Sequence, residues 1–194
     1  MQIIRQSDFT AKPWKTGGGI TREAIRVPPS GDSFLWRVSI ARIERSGPFS
    51  EFAAYNRTMV LLEGSGVALK FVGGEERVLR QIGEVAEFDG AVATQCELLD
   101  GPCTDLNLIA AKSLRGAHAR VQRLSAPLRL PLPAAGRSTL ILSIDAPLLL
   151  GTGQERARLA PWDLAVIAHP DAAANLAPPG SGTALVFLAT VPGA

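Results

Sequence analysis

Four polar side chains interrupt apolar runs in this 194-residue chain. Arg57 and Glu63 bracket Thr58-Met-Val-Leu-Leu62, and Asp105 and Asn107 alternate within Asp105-Leu-Asn-Leu-Ile109. In an extended strand the side chains alternate between faces, so Asp105 and Asn107 point the same way. The same rule puts Arg57 and Glu63 on one face with Met59 and Leu61 between them. Buried polar groups need partners, and a ligand is one such partner. Local turn hydrogen bonds are the competing account of Asp105 and Asn107, and an ion pair to a neighbouring strand is the competing account of Arg57 or Glu63. A guanidinium at Arg57 is suited to forking onto a carboxylate. Asp105 would serve as a general base only with a matched pKa and a reach of ~3 Å to its proton, which sequence does not fix.

A second concentration of candidates is Trp14-Lys-Thr-Gly-Gly-Gly-Ile-Thr-Arg-Glu23. Three consecutive glycines cost conformational entropy, so a constraint requires them. Either the glycine backbone approaches a ligand, with Trp14 and Arg22 beside it, or the segment is a turn entering a strand. No Gly-Lys-Ser/Thr follows, and no Gly-x-Ser-x-Gly occurs, which excludes a P-loop and a lipase-like nucleophile elbow. His118 and His169 are the two histidines; neither has a Cys, Asp or Glu at ligand spacing, and both read as surface residues. Cys96 and Cys103 flank Asp100-Gly101-Pro102 and read as reduced fillers.

The elements that must position these groups are strands. Proline and glycine, 14 and 19 residues, punctuate short Val/Ile/Leu-rich runs, the pattern of an all-β sandwich or barrel. The clearest strand is predicted over 34–43, with Trp36, Val38 and Ile40 on one face and Arg37, Ser39 and Ala41 on the other. Further strands are expected over 58–63, 66–72, 77–80, 85–88, 94–99 and 105–110, with one helical turn near Ser7. Sliding the chain along itself by about 80 residues aligns Thr58-Met-Val-Leu-Leu with Thr139-Leu-Ile-Leu-Ser, Gly83-Glu-Val-Ala with Trp162-Asp-Leu-Ala, and Leu106-Asn-Leu-Ile with Val186-Phe-Leu-Ala. Two similar β-halves follow: residues 1–112, carrying the polar candidates, and 113–194, nearly all apolar at matched places. Ser125 to Ala135 is expected to be an extended, proline-stiffened connector. Balanced charge, 20 basic against 18 acidic residues, argues against a nucleic-acid surface. No apolar run approaches the ~18 residues of a membrane span, and the first residues lack a signal-peptide pattern, so a cytoplasmic protein is expected.

This layout resembles a cupin, and against that pattern Arg57 gains meaning. Seven residues before Gly64 the first cupin motif has a ligating glutamate; here it is Arg57, and no His-x-His precedes it. The second motif's histidine, eleven residues after Gly83, is Thr94. No metal and no cofactor is therefore expected. Along nearly its whole length the chain resembles the HutD/Ves family of metal-free bicupin-like proteins. The resemblance is carried by Trp14-Lys-x-Gly-Gly-Gly-x-Thr-Arg-Glu23, Trp36-Arg-Val-Ser-x-Ala41, Gly47-Pro-Phe-Ser50, Arg57 with Leu61-Leu-x-Gly64, and Asp105-Leu-Asn107. Thr16 stands where the family has Asn, and Ala53-Ala54 where it has Pro-Gly. The resemblance implies a small cytoplasmic β-barrel protein, often encoded with the histidine-degradation enzymes, that binds a pathway metabolite and restrains the pathway.

The resulting expectation is a single bicupin-like domain over residues 1–194 that binds a small anionic metabolite, such as urocanate or an N-substituted glutamate, without turnover. Its site would comprise Trp14, Arg22, Trp36, Arg37, Ser39, Arg57, Asp105 and Asn107. Partners are expected to exclude nucleic acid and membrane and to allow a homodimer. Two rivals stay open: a metal-independent cupin isomerase or hydrolase using Asp105 as base, and a protein-interaction module meeting a partner through the apolar second half.

Overall fold

The short runs between glycines and prolines become strands throughout. The computed structural model describes residues 1–14, 17–31, 33–114, 116–133, 135–168 and 173–193. The chain begins with β1 (Gln2–Ile4), a 3-10 turn at Gln6–Asp8, β2 (Thr10–Pro13), β3 (Gly19–Val27), β4 (Trp36–Ile43) and β5 (Gly47–Pro48). It continues through β6 (Tyr55–Glu63), β7 (Val67–Phe71), β8 (Glu76–Leu79), β9 (Val85–Asp89), β10 (Thr94–Leu98) and β11 (Cys103–Ala111). The second half holds β12 (His118–Leu124), β13 (Leu128–Pro131), β14 (Arg137–Ser143), β15 (Leu148–Thr152), β16 (Glu155–Leu159), β17 (Leu164–Ile167), β18 (Ala173–Ala177) and β19 (Ala184–Pro192). No helix among the described residues is long and apolar enough to cross a membrane.

Contacts divide the chain into two compact units, Phe9–Arg115, and Gly116–Ala194 together with Met1–Asp8. In the first, a six-stranded sheet of order β2-β3-β4-β11-β6-β9 accompanies a four-stranded sheet of order β5-β10-β7-β8. In the second, the orders are β1-β17-β14-β19-β12 and β13-β18-β15-β16. Replacing β4, β11, β6 and β9 by β12, β19, β14 and β17 reproduces the topology, so the two similar β-halves expected from the repeat are present. The first half adds β2 and β3 outside β4; the second adds β1 outside β17. Each unit has its own apolar core. That of the first contains Ile43, Met59, Leu61, Val67, Leu69 and Phe71, each worth roughly 1.5–3 kcal/mol of transfer free energy on burial.

The repeat slips by one residue from the sequence alignment in two of its three blocks. The Gly83 N–H donates to the Leu61 carbonyl at 2.8 Å, and the Trp162 N–H donates to the Ser143 carbonyl at 2.6 Å. Leu61 therefore matches Ser143, and Arg57 matches Thr139, where the sequence alignment had set Thr58 against Thr139. By the same registers Asp105 matches Val186 and Asn107 matches Leu188. Gly83 and Trp162 do correspond, as aligned, and both have positive φ, 91° and 69°. Only glycine adopts that conformation without strain.

Of the two readings of the glycine segment, the turn entering a strand is the one observed: the nine-residue β3 begins at Gly19. Two further expectations change. The proline-rich connector contains β13, paired with β18 from Leu128↔Leu176 to Pro131↔Ala173. And a β-bulge between Thr104 and Asp105 sets Thr104 opposite Glu63 but Asp105 opposite Leu61. The extra residue, Leu62, breaks the alternation. Glu63 consequently joins Arg42 at 3.5 Å and accepts from the Thr104 hydroxyl at 3.1 Å, away from Arg57.

Candidate functional site

Adjacent strands β4, β11 and β6 place Ser39, Asn107 and Met59 on one rung and Arg37, Ile109 and Arg57 on the next. The inward-facing side chains of these rungs, with residues of β2, β3 and the segment after β5, enclose a cavity of about 210 Å³. In β3, Thr21 and Glu23 pair with Ala41 and Ser39 and face the cavity by simple alternation, before a bulge between Glu23 and Ile25. The glycines shape this hairpin rather than line the cavity. Gly17 turns at φ +69°, and a Cβ on Gly19 would lie 2.3 Å from the Arg42 carbonyl oxygen. Lys15 and Thr16 lie outside the described residues.

Arg57 is the buried cation of the cavity. Its guanidinium carbon sits 4.9, 5.7 and 5.0 Å from the ring centroids of Phe49, Phe52 and Phe88. Nη2 donates to Asn107 Oδ1 at 2.6 Å, and the Asn107 amide in turn donates to Asp105 Oδ2. One arginine, one amide and one carboxyl thus form a chain across β6 and β11. Burial lowers the Arg57 pKa to about 10, against the attraction of Asp105, and burial raises the Asp105 carboxyl to about 7 despite Arg57 and Asn107. Arg37 is likewise lowered by burial; its counter-ion is Glu23, 4.0 Å away, and its guanidinium packs on Phe34 and Phe52. The Trp14 indole donates to the Thr21 hydroxyl at 2.7 Å and meets Phe49 edge-on at 6.2 Å, closing one wall.

Arg37 Nε, Arg57 Nε and Asp105 Oδ1 are buried without a hydrogen-bond partner among the described residues. Three cations, Lys12, Arg37 and Arg57, face two carboxyls, Glu23 and Asp105, in the lining. With Asp105 partly protonated near neutrality, the balance favours an anion.

Of the residues expected at the site, Trp14, Arg37, Ser39, Arg57, Asp105 and Asn107 converge on this cavity. Arg22 and Trp36 do not line it. Arg22 is exposed on the face of β3 opposite Thr21 and Glu23, and Trp36 is buried on the face of β4 opposite Arg37 and Ser39. Glu23, Phe49 and Phe52 were not foreseen there. Glu23 follows from alternation once residues 19–27 are read as a strand; the two phenylalanines come from an irregular segment without periodicity. Thr94, at the place of the second cupin motif's histidine, donates its hydroxyl to the Val92 carbonyl at 2.8 Å. Among the described residues no three His, Cys, Asp or Glu side chains come together as a metal-holding group. His118 is exposed, and His169 lies outside the described residues. Cys96 and Cys103 are buried free thiols.

Comparison with known proteins agrees with this layout. A protein of 21.2 kDa encoded in the hutC 3′ region of Pseudomonas putida is 44% identical over 112 residues, 57% of this chain and 58% of that protein. The chain thus spans little more than half of that curated relative. Proteins named Ves, among them one from Citrobacter koseri, also match. Among solved structures, a conserved protein of unknown function from Pseudomonas aeruginosa PAO1 superposes with TM-score 0.88 at 31% identity, covering 100% of this chain and 98% of that one. HutD from Pseudomonas fluorescens SBW25, in a formate condition, superposes with TM-score 0.80 at 28% identity, covering 100% and 99%. A cupin 2 conserved barrel domain protein from Leptotrichia buccalis, 12% identical, covers 98% and 96% with TM-score 0.64, which makes the fold a cupin fold. The HutD profile matches residues 6–186, so the chain belongs to the HutD/Ves family of bicupin-like proteins.

Proposed function

We propose that the N-terminal cavity binds a small carboxylate metabolite of histidine utilisation, and that the protein acts as a ligand-responsive modulator of that pathway rather than as a catalyst. The observation that carries this reading is the set of unsatisfied buried atoms, Arg37 Nε, Arg57 Nε and Asp105 Oδ1, on residues lining one cavity. Buried donors without partners are costly, and a carboxylate satisfies both guanidinium groups at once. Neutral Asp105 then donates to the same anion or to a neighbouring acceptor, and the Trp14–Phe49 wall covers a planar or apolar body. Urocanate and N-substituted glutamates combine these features. The hut-region relative and the HutD name support the pathway; the formate condition of the P. fluorescens structure makes formate the smallest probe.

The test is thermal melting and calorimetric titration with formate, urocanate, formiminoglutamate and formylglutamate. Ligand at 100 times its dissociation constant adds about 2.7 kcal/mol, a rise of roughly 5–10 °C in melting temperature. Arg57→Lys keeps the charge but loses the fork, and affinity falls by about 1.5–3 kcal/mol. A flat response to all four ligands at millimolar concentration removes the pathway assignment.

A second reading is favoured by Asp105 itself, because a carboxyl held at about 7 beside a cavity is tuned for proton transfer at neutral pH. It predicts conversion of a bound carboxylate that Asp105→Asn abolishes. Product analysis by mass spectrometry separates the two readings.

A further inference from the structure

Glu23 lines the N-terminal cavity, and an anion held by Arg57 and Arg37 gives it no task. A carboxyl beside an anion site weakens that site by like-charge repulsion, so its presence needs a reason. Its side chain is 13% exposed. The two cations near it, Lys12 Nζ at 3.8 Å and Arg37 Nη1 at 4.0 Å, both face Oε2, and both stand beyond hydrogen-bond length. Neither oxygen accepts a hydrogen bond among the described residues, and Oε1 has no cation within the same range. Asp163, the buried carboxyl of the other unit, is held quite differently. It accepts from the Arg5 guanidinium at 2.7 Å and from the Gln6 and Ala160 N–H groups at 3.0 and 2.9 Å. A carboxyl kept for structure gathers donors in this way; Glu23 has charge nearby and no donor in contact.

Its place in the sheet sets it opposite Arg57. The rung Glu23↔Ser39↔Asn107↔Met59 runs from β3 through β4 and β11 to β6. β3 and β6 are thus three strand spacings apart, about 14 Å between backbones, and the side chains of Glu23 and Arg57 enter the cavity from its two sides. Thr21, on the same face of β3 as Glu23, accepts from the Trp14 indole at 2.7 Å and so fixes that ring at the Glu23 side. Phe49 meets the indole edge-on at 6.2 Å. A carboxylate oxygen open to the cavity beside an anchored aromatic wall suits a planar group with an in-plane N–H: the N–H donates to Glu23 while the face of the group packs on the indole. One small molecule can then meet guanidinium groups at its carboxylate end and a carboxylate at its other end.

We infer that Glu23 is the specificity-determining acceptor of this site, and that the ligand carries a planar N–H donor, such as an azole, an amide or an amidine, at the end away from its carboxylate. The inference rests on the carboxylate reading of the cavity, and the test separates the two. Calorimetric titration of the full chain at pH 6, below the Asp105 value of about 7, compares formate, 3-(pyrrol-2-yl)propionate and 3-(2-furyl)propionate. The two ring acids share size, shape and charge; pyrrole has a ring N–H where furan has an oxygen. The parent binds the pyrrole acid about tenfold or more tighter, the worth of a hydrogen bond to a charged acceptor. Glu23→Gln brings that ratio close to one. The ratio is the readout because a change in cavity charge, or a shift of Arg37 on losing its counter-ion, acts on both acids alike. The parent comparison needs no variant, so it decides the matter even where Glu23→Gln fails to fold. Equal affinities in the parent, or a ratio that Glu23→Gln leaves intact, overturn the inference. Binding of formate but of neither ring acid overturns it too and leaves the carboxylate site standing, whereas no binding of all three removes the carboxylate site and the role of Glu23 with it.

Discussion

The chain Arg57–Asn107–Asp105 is a poor way to stabilise a sheet. Each member is buried, and Arg57 Nε and Asp105 Oδ1 have no hydrogen-bond partner among the described residues. The C-terminal unit solves the same packing problem with Thr139, Leu188 and Val186. Replacing a whole buried polar network by apolar residues of similar volume is often neutral or stabilising, whereas removing one member strands the others. Asn107→Leu alone should therefore destabilise by about 2–4 kcal/mol, since it orphans Arg57 Nη2 and Asp105 Oδ2 together. The triple change Arg57→Met, Asp105→Val, Asn107→Leu should be at least as stable as the parent while losing anion binding. Urea melts beside ligand titration measure both. A triple variant much less stable than Asn107→Leu would assign these residues to structure instead of binding. Arg57, Asp105 and Asn107 were legible in the sequence because polar residues at alternate places in apolar strands are conspicuous. Arg22 and Trp36 were misplaced because proximity to a motif does not say which face of a strand a side chain takes.

Faces are decided by elements, and here by bulges and glycines. The bulge at Leu62 turns Glu63 out of line with Arg57, and the bulge in β3 fixes where Thr21 and Glu23 end and Ile25 begins. Alternation alone could not foresee either, because each adds one residue that no periodicity marks. The glycine run explains why β3 is only one of two readings of the sequence, since its first residue, Gly19, carries no side chain to read. That glycine is needed for close approach to β4: a Cβ would lie 2.3 Å from the Arg42 carbonyl oxygen and 3.3 Å from the Trp14 ring. Gly17 is needed for a different reason, its φ of +69°, and has open space around it. Gly19→Ala should then cost about 1–3 kcal/mol and shift Thr21 and Glu23, weakening ligand binding as well. Gly17→Ala should cost about 1 kcal/mol of stability and leave affinity alone. Equal affinities in both variants, by calorimetry, would disconnect the hairpin from the site. The strands expected between 34 and 110 are legible in type and, apart from β6, which begins three residues before the expected 58, within two residues in extent, because their apolar runs end at turns; those of the second half are legible only through the repeat. The exact repeat register was not, since one residue of slip preserves a hydrophobic match while exchanging faces.

At the scale of the molecule, the same topology carries two carboxyls with opposite titration behaviour, one in each unit. Asp105, raised to about 7 by burial in the N-terminal unit, binds a proton on folding between the unfolded value of ~3.9 and 7. Its contribution is full below pH ~4 and lost as pH rises through 7, a change of roughly 3–4 kcal/mol. In the C-terminal unit, burial alone would raise Asp163, but donation from the Gln6 N–H, Arg5 and the Ala160 N–H outweighs it and holds the carboxyl below its ordinary value. That contribution is present above pH ~4 and lost as pH falls through the depressed value. It also ties the first residues to the turn before β17, beside the pairing of β1 with β17 from Gln2↔Val166 to Ile4↔Leu164. Urea unfolding across pH 3–8 should therefore give a stability maximum well on the acid side of neutrality, near pH ~4, flanked by two slopes of separate origin. Asp105→Asn should flatten the fall between pH ~4 and ~7 and leave the acid limb intact. Asp163→Asn should flatten the acid limb and lower stability at pH 7 by about 1–3 kcal/mol, because three donors lose a charged acceptor. If parent stability instead climbs steadily from pH 5 to 8, Asp105 is ionised in the folded protein throughout, and its neutral form cannot be the donor that meets a bound anion.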